Sequence, residues 1–249
     1  MIAQPWRLQA RLGAPRVLDG ASALRTIFPE ADRERIEALR LDLLRNEAFF
    51  AALNAGLVGE RRRRVVCDEW KETLYVLVRL LRPRVMIETG VFDGESSAII
   101  LQAMEDGGEG RLVSIDLPAT ETIAGSTQCM REVSLPPGRL PGWAIPGSLG
   151  HRHTLHLGDS RTILPQVLAD QPAIDCFFHD SRHTSEHMLF EYRTAWPHLA
   201  PGGVLLSDDI DWNGAFHTFC RETRRPYMRT AGGRLGITRR PKGSGTQGS

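Results

Sequence analysis

Carboxylates and histidines are concentrated in two short stretches of the C-terminal half of the sequence. The stretch FFHDSRHTSEH, residues 177–187, has a histidine at every fourth position and contains Asp180, and the stretch LLSDD ends in Asp208 and Asp209. Three carboxylates sharing one site repel each other and raise their own pKa values. Because hard oxygen ligands favour Mg²⁺, these residues predict a magnesium site, although Asp208 and Asp209 could instead cap a helix and a turn.

The spacing assigns different roles to the three histidines. His183 lies just after Asp180, and histidine is suited to accept a proton near neutral pH, so we interpret it as the catalytic base. His179 precedes Asp180 on a strand, so its side chain should point to the opposite face of the sheet and be structural. His187 lies one helical turn beyond His183. A zinc pair at that spacing stays open, although HTSEH lacks the glutamate of HExxH.

Strand ends must position these residues. Apolar runs alternate with helical stretches through most of the chain, and the runs are RVMIET, RLVSID, HTLHLG, IDCFFHD and GGVLLSDD. This alternation predicts an α/β fold with a Rossmann-like, doubly wound, mostly parallel sheet. Two further short strands around Gly232-Gly233 would add a C-terminal antiparallel hairpin and bring the total to seven. Because neighbouring strands lie about 4.8 Å apart, the three aspartates would converge at one rim, where ligands of such sheets bind.

Other strand ends carry residues suited to a nucleoside ligand. In ETGVFDGES, Gly90 and Gly94 flank a turn whose backbone can approach a ligand at a helix N-terminus, but their spacing is not that of the dinucleotide motif GxGxxG. Asp116 ends RLVSID and could accept hydrogen bonds from ribose hydroxyls or hold a turn. Asp159 and Ser160, in GDSR, could contact an adenine amine or begin a helix.

The remaining segments surround this predicted domain. Residues 1–69 are predicted to form a helical extension, since apolar residues recur at helical spacing over 36–50; it could cap the substrate or contact a second copy of the chain. Residues 70–240 form the α/β domain, with a Pro- and Gly-rich insert at 117–150 that is either a lid or a surface excursion. Residues 241–249 are predicted to be a disordered tail.

Composition excludes several classes of protein. The 249 residues are 41% hydrophobic and 24% charged with a net charge of +1, so nothing favours a nucleic acid or a membrane surface as partner. No signal peptide or membrane span is evident, which predicts a cytoplasmic protein. No C-x-x-C pair occurs, which excludes zinc ribbons and redox motifs. The sequence has two lysines, Lys71 and Lys242, and neither lies in the motifs, which excludes a catalytic lysine near them.

The order of these motifs resembles that of the class I S-adenosylmethionine-dependent methyltransferases. The resemblance covers roughly Trp70 to Arg239 and is strongest to the Mg²⁺-dependent O-methyltransferases of the catechol and macrolide-sugar types, through LGDSRTILPQV, FFHDSRHTSEHMLFEY and LAPGGVLLSDD. The catechol type often has lysine three residues after its first metal ligand and asparagine as its third ligand. His183 and Asp209 stand at those positions here, so the resemblance implies a sugar or natural-product hydroxyl as the acceptor.

The resemblance also implies two cofactors and the residues that bind them. S-adenosylmethionine would be the methyl donor, and its methionine end would be held by Glu88, Gly90, Gly94 and Ser96. Its ribose would be held by Asp116, and its adenosine side by Asp159 and Ser160. Mg²⁺ would be held by Asp180, Asp208 and Asp209.

Other functions stay open from the sequence alone. A metal-independent methyltransferase would use His183 without Mg²⁺. A nicotinamide-dependent oxidoreductase could use a similar sheet, although the glycine spacing opposes it. A non-haem iron hydroxylase is suggested by His179, Asp180 and His183 as two histidines and a carboxylate. A non-catalytic protein that only binds the cofactor is the fourth alternative.

Overall fold

Seven strands form the central sheet of the structure, a computed structural model that describes residues 15–57, 65, 67–118, 135–136 and 138–242. The strands are β1 (Val85–Thr89), β2 (Arg111–Asp116), β3 (His153–Leu157), β4 (Ile174–His179), β5 (Leu199–Ser207), β6 (Tyr227–Thr230) and β7 (Leu235–Arg239). Their order is β3-β2-β1-β4-β5-β7-β6. Strands β1 to β5 pair in parallel, and β7 is antiparallel to both β5 and β6. The predicted mostly parallel sheet with a C-terminal hairpin is confirmed.

Helices cover both faces of this sheet. Those in the described residues are α1 (Gly20–Ile27), α2 (Arg33–Leu44), α3 (Glu47–Gly56), α4 (Glu69–Leu81), α5 (Glu95–Gly107), α6 (Ser160–Ala169), α7 (Ser185–Ala195) and α8 (Ala215–Glu222). Short 3₁₀ segments lie at Gly147–Arg152, Trp196–His198 and Ala231–Gly233. None of the helices in the described part of the chain is long and apolar enough to cross a membrane.

The two hydrophobic layers follow directly from the alternation of strand residues. Cys176 and Phe178 of β4 pack into the layer under α1 to α5, whereas Phe177 packs into the layer under α6 to α8. Met86 and Ile87 of β1 divide between the layers in the same way. Because successive side chains point to opposite faces, a strand covered on both sides is apolar at most of its positions. This is why the strands appear in the sequence as continuous apolar runs.

The N-terminal helices share the core of the sheet. Ile36, Leu43 and Phe49 belong to the same buried cluster as α4. The apolar spacing over 36–50, however, covers two helices instead of one, because the Asn46 side chain accepts a hydrogen bond from the Phe49 N–H (3.0 Å) and so begins α3. Whether this extension also caps the substrate or contacts a second copy stays a prediction.

Parts of three predicted segments lie outside the described residues: 1–14, 58–64 and 66 of the N-terminal extension, 119–134 and 137 of the insert, and 243–249 of the tail. The described end of the insert packs onto the turn after β1. The Gly142 N–H donates to the Phe92 carbonyl (2.8 Å), and the Ala144 N–H donates to the Asp93 carbonyl (3.0 Å). This part of the insert therefore covers the turn that was predicted to bind the cofactor.

Candidate functional site

The glycine turn between β1 and α5 is in direct contact with the segment that follows β4. Gly90 and Gly94 both have positive φ, 85° and 92°. A Cβ atom on Gly90 would lie 2.1 Å from the Asp180 carbonyl oxygen, and the Asp180 N–H donates to the Thr89 carbonyl (2.8 Å). The turn therefore needs glycine both for its backbone conformation and for space. As a result, the predicted cofactor turn and the predicted acid–base segment touch.

Replacing Gly90 with alanine should lower the free energy of unfolding by about 3 kcal/mol, since the methyl group adds both strain at positive φ and a clash with backbone. Chemical denaturation measures the change. Gly147→Ala is the matched control, because a Cβ atom there would meet nothing within 4 Å. Equal stability of the two variants would contradict the close approach of the turn to Asp180.

Glu88 lies under the glycine turn and is fully buried. Its carboxylate accepts hydrogen bonds from the hydroxyls of Ser96 (2.8 Å), Ser97 (2.5 Å) and Ser114 (2.9 Å). Burial raises the pKa of Glu88 to about 7, although the three serines oppose that shift. Glu88 and Ser96 are thus bonded to each other at the place where both were predicted to hold the methionine end of the cofactor.

Asp116 joins the end of β2 to the same turn. Its Oδ2 accepts from the N–H groups of Val91 (2.9 Å) and Phe92 (2.8 Å), and its Oδ1 accepts from the Leu117 N–H (2.7 Å). Burial raises its pKa. Each carboxylate oxygen can accept about two hydrogen bonds, so Oδ1 retains a lone pair that could bind a ribose hydroxyl. The predicted ribose role and the turn-holding role are therefore compatible.

Asp159 and Ser160 lie at the N-terminus of α6. The Asp159 side chain accepts from the Arg161 N–H (2.8 Å) and caps the helix. The Ser160 hydroxyl is buried, where it is 3.0 Å from His187 Nε2 and donates to Glu191 (2.5 Å). The predicted contacts of both residues with adenosine stay predictions, and Ser160 would have to make its contact while bonded inside the protein.

Glu191 is the centre of a buried polar cluster behind the site, and its side chain is 0% exposed. It accepts hydrogen bonds from five groups: His179 Nδ1, His187 Nε2 and the hydroxyls of Thr89, Ser160 and Ser181. Burial raises its pKa, but the charge of His179 and the hydrogen bond from it hold the pKa well below its usual range. The cluster connects β1, β4, α6 and α7, and so fixes the segment that carries Asp180.

His179 is closer to His183 than strand alternation predicts. The two rings are 5.3 Å apart in a T-shaped arrangement. The reason is that the chain bends back after β4 to begin α7, whose Glu191 faces His179. The expected structural role agrees with this burial, but the expectation that strand geometry turns the His179 side chain away from His183 was wrong.

The three predicted metal ligands lie together at the ends of β4 and β5. Burial, followed by the charges of Asp208 and Asp209, raises the pKa of Asp180 well above its usual range. Burial and the charge of Asp208 raise the pKa of Asp209 to about 7. A guanidinium, that of Arg234, bonds both Asp208 and Asp209. Among the described residues, the Arg234 guanidinium therefore pairs with two of the three aspartates, while burial and mutual repulsion favour the protonated forms of Asp180 and Asp209.

His183 faces this carboxylate group. Its Nε2 lies 3.8 Å from Asp180 Oδ1 and 3.8 Å from Asp209 Oδ2, which is too long for a hydrogen bond. That nitrogen is buried without a hydrogen-bond partner in the part of the chain that the structure describes, and the Trp212 ring lies 5.4 Å from the imidazole ring. Burial lowers the pKa of His183 to about 3. The imidazole is therefore neutral at pH 7, and burial makes it a weaker proton acceptor than an exposed histidine.

The oxygen ligands offered by the three aspartates suit a divalent cation, but these side chains are not positioned to bind one. If all three aspartates were ionised, they would carry two negative charges more than Arg234 neutralises, and the described residues offer no hydrogen-bond partner to His183 Nε2. Among the described residues, no group of three or more His, Cys, Asp or Glu is positioned to hold a metal ion. The reason at Asp208 is visible, since its oxygens are already bonded by Arg234 and by the Trp70 indole N–H (3.0 Å).

Three residues of the site gave no signal in the sequence. Trp70 comes from α4 and Arg234 from the start of β7, so both reach Asp208 only through the fold. Lys71 also approaches the motifs only through the fold, since its Nζ lies 2.9 Å from Glu95 Oε1, directly after Gly94; that no lysine is catalytic there stays a prediction. No spacing rule relates residues so far apart in the chain.

The comparisons with known proteins agree with this geometry. Residues 87–210 match the family model of a methyltransferase domain, a range that contains the glycine turn, Asp116 and all three predicted metal ligands. No curated protein sequence matches the chain.

Solved structures share the fold at low sequence identity. The O-methyltransferase TomG from Streptomyces achromogenes, involved in tomaymycin synthesis and solved with SAM, is 19% identical with a TM-score of 0.52, over 79% of this chain and 90% of that chain. The SAH-bound methyltransferase PaMTH1 from Podospora anserina is 15% identical with a TM-score of 0.50, over 94% and 93%. An O-methyltransferase structure from Klebsiella pneumoniae is 15% identical with a TM-score of 0.50, over 78% and 89%. The family match and the sheet order together show that the chain belongs to the class I S-adenosylmethionine-dependent methyltransferases.

Proposed function

We propose that the protein is an O-methyltransferase that transfers a methyl group from S-adenosylmethionine to a hydroxyl of a small molecule, with His183 as the general base. The observation that carries this proposal is the contact between the glycine turn and the backbone of Asp180. It brings the predicted donor site and the predicted base to the same end of β1 and β4. The SAM and SAH bound to TomG and PaMTH1 support the donor.

The chain's own residues supply positioning and a proton acceptor. The glycine turn would hold the methionine end of S-adenosylmethionine and Asp116 its ribose, and the cofactor when bound would supply an electrophilic methyl group. In the transfer that this donor would support, the acceptor oxygen would gain the methyl carbon and the sulfur would keep the electron pair of the carbon–sulfur bond. The hydroxyl proton goes to His183 Nε2, and the carboxylates of Asp180 and Asp209, each 3.8 Å away, stabilise the imidazolium that forms. Holding the reacting atoms in line supplies much of the rate.

Mg²⁺ is the second cofactor of this proposal. Asp180, Asp208 and Asp209 would hold it, and the ion would act as a Lewis acid that lowers the pKa of a substrate hydroxyl. The repulsion among these carboxylates, which raises the pKa values of Asp180 and Asp209 and which a cation would relieve, supports the assignment. The bonds from Arg234 to Asp208 and Asp209 would have to open for all three to serve as ligands.

Calorimetric titration of Mg²⁺ into protein saturated with S-adenosylhomocysteine tests the metal. We expect binding in the wild type and its loss in Asp209→Ala, since a carboxylate ligand and its charge are removed. Asp170→Ala, at an exposed aspartate after α6, is the matched control and should bind like the wild type. Unchanged Mg²⁺ binding in Asp209→Ala, or full activity in excess EDTA, would contradict the metal assignment and leave His183 to act alone.

The acceptor class follows from the metal. An ion that binds both protein and substrate favours two neighbouring oxygens, so we propose vicinal hydroxyls of a sugar or a natural-product intermediate. Isotope-labelled methyl transfer should be seen with a vicinal diol and be much weaker with its monodeoxy counterpart. Transfer only to amine or carbon acceptors would contradict the proposed O-methylation.

A further inference from the structure

Arg234 forms ion pairs with both carboxylates that follow β5, those of Asp208 and Asp209. Its Nε lies 2.7 Å from Asp208 Oδ1, and its Nη2 also bonds Asp208 Oδ2, which gives a two-pronged pairing. The same Nε is 2.8 Å from Asp209 Oδ1. The guanidinium also lies 5.9 Å from the centre of the Trp70 ring. Such pairing of a planar guanidinium with a carboxylate is both strong and geometrically specific.

The hydrogen bonds on Asp208 leave little room for another cation. Its Oδ1 accepts from both Trp70 Nε1 (3.0 Å) and Arg234 Nε (2.7 Å), which accounts for both lone pairs of that oxygen. Its Oδ2 accepts from Arg234 Nη2. A metal ion that used Asp208 would have to displace one of these N–H groups.

The two partners of Asp208 differ in their freedom to leave. Trp70 comes from α4, and its ring packs against Phe178 of the buried core, with 6.1 Å between the ring centres. The Arg234 side chain is 52% exposed, whereas that of Asp208 is 0% exposed. Arginine keeps its charge at any working pH, so it can be released only by moving out into solvent. Arg234 is therefore the partner that can leave.

We propose that Arg234 is a built-in competitor of the metal: its guanidinium and a divalent cation exclude each other at Asp208, so that this residue weakens metal binding by the wild-type protein. The inference rests on the proposed metal site and adds a residue that controls it. With the metal absent, the guanidinium partly neutralises the carboxylates. Its side chain turns outward when the metal binds.

Binding of Mn²⁺, followed by electron paramagnetic resonance of the free ion in samples saturated with S-adenosylhomocysteine, tests this proposal without an activity assay. Arg234→Met should lower the Kd for Mn²⁺ at least tenfold relative to the wild type. Arg234→Lys keeps the charge but cannot make the two-pronged bond, so it should lower the Kd at least threefold. Arg193→Met removes one positive charge from the exposed Arg193–Glu222 pair and should leave the Kd unchanged.

Each other result overturns the proposal. An unchanged or higher Kd in Arg234→Met shows no competition, and a wild-type Kd in Arg234→Lys shows an effect of charge alone. If neither the wild type nor any variant binds Mn²⁺, both this inference and the metal assignment fail. S-adenosylhomocysteine binding in the same samples would still support the assignment as a methyltransferase. Melting temperatures verify folding, and if Arg234→Met does not fold, Arg234→Lys decides alone.

Discussion

His183→Ala should lower kcat for methyl transfer by about 100-fold or more, the usual contribution of a positioned general base. The affinity for S-adenosylhomocysteine should be nearly unchanged, because the residues predicted to hold it lie at the ends of β1, β2 and β3. Steady-state kinetics and calorimetry on the same samples measure the two effects. Because burial lowers the pKa of His183 to about 3, its imidazole stays neutral between pH 7 and about 5. Protonation of His183 should therefore not lower kcat/KM over that pH range.

A control variant separates this effect from a general loss of histidine. His151 is exposed on the 3₁₀ segment before β3, where its Nδ1 bonds the Ser148 carbonyl. His151→Ala should retain wild-type kcat. If His183→Ala were equally active, His183 would have no part in the mechanism.

Glu191→Gln should lower the free energy of unfolding by about 3–5 kcal/mol, the cost of removing one partner from a buried ionic pair. The five groups that donate to Glu191 are all inside the protein, and an amide offers one acceptor where the carboxylate offers two. Because the folded pKa of Glu191 lies below its usual range, its stabilisation is present at neutral pH and is lost as pH falls through that folded pKa. Chemical denaturation at several pH values measures both effects.

The same helix provides the matched control. Glu186 of α7 pairs with Arg161, and its side chain is 82% exposed. Glu186→Gln should change stability little, as is usual for surface ion pairs. If the two variants unfolded at the same denaturant concentration, the buried cluster would not be the element that holds β4 and α7 together.

The parts of the fold that the sequence predicted are those governed by local patterns. Alternating burial made the strands recognisable, and the carboxyl ends of parallel strands necessarily meet at one rim. For this reason Asp180, Asp208, Asp209 and His183 could be placed together from the order of their motifs along the chain. The split between α2 and α3 was missed because Asn46, a helix cap, lies within an otherwise continuous apolar spacing.

The parts that could not be predicted depend on long-range packing. Arg234 reaches Asp208 from the hairpin, and Trp70 reaches it from a helix 138 positions earlier in the chain. Glu191 gave no signal, because a glutamate on an amphipathic helix normally faces solvent. Its burial depends on the two histidines and three hydroxyls that surround it.

Calorimetric titration of S-adenosylhomocysteine into the wild-type protein and Asp116→Asn tests the central claim, methyl transfer from S-adenosylmethionine, most directly. We predict one binding site in the wild type. The Kd for S-adenosylhomocysteine should be at least about tenfold higher in the variant, the size expected for lost hydrogen bonds to a charged group. Asp170→Asn, at the exposed aspartate after α6, should bind like the wild type. If the folded wild-type protein bound NAD⁺ and not S-adenosylhomocysteine, the proposed methyl transfer would be contradicted.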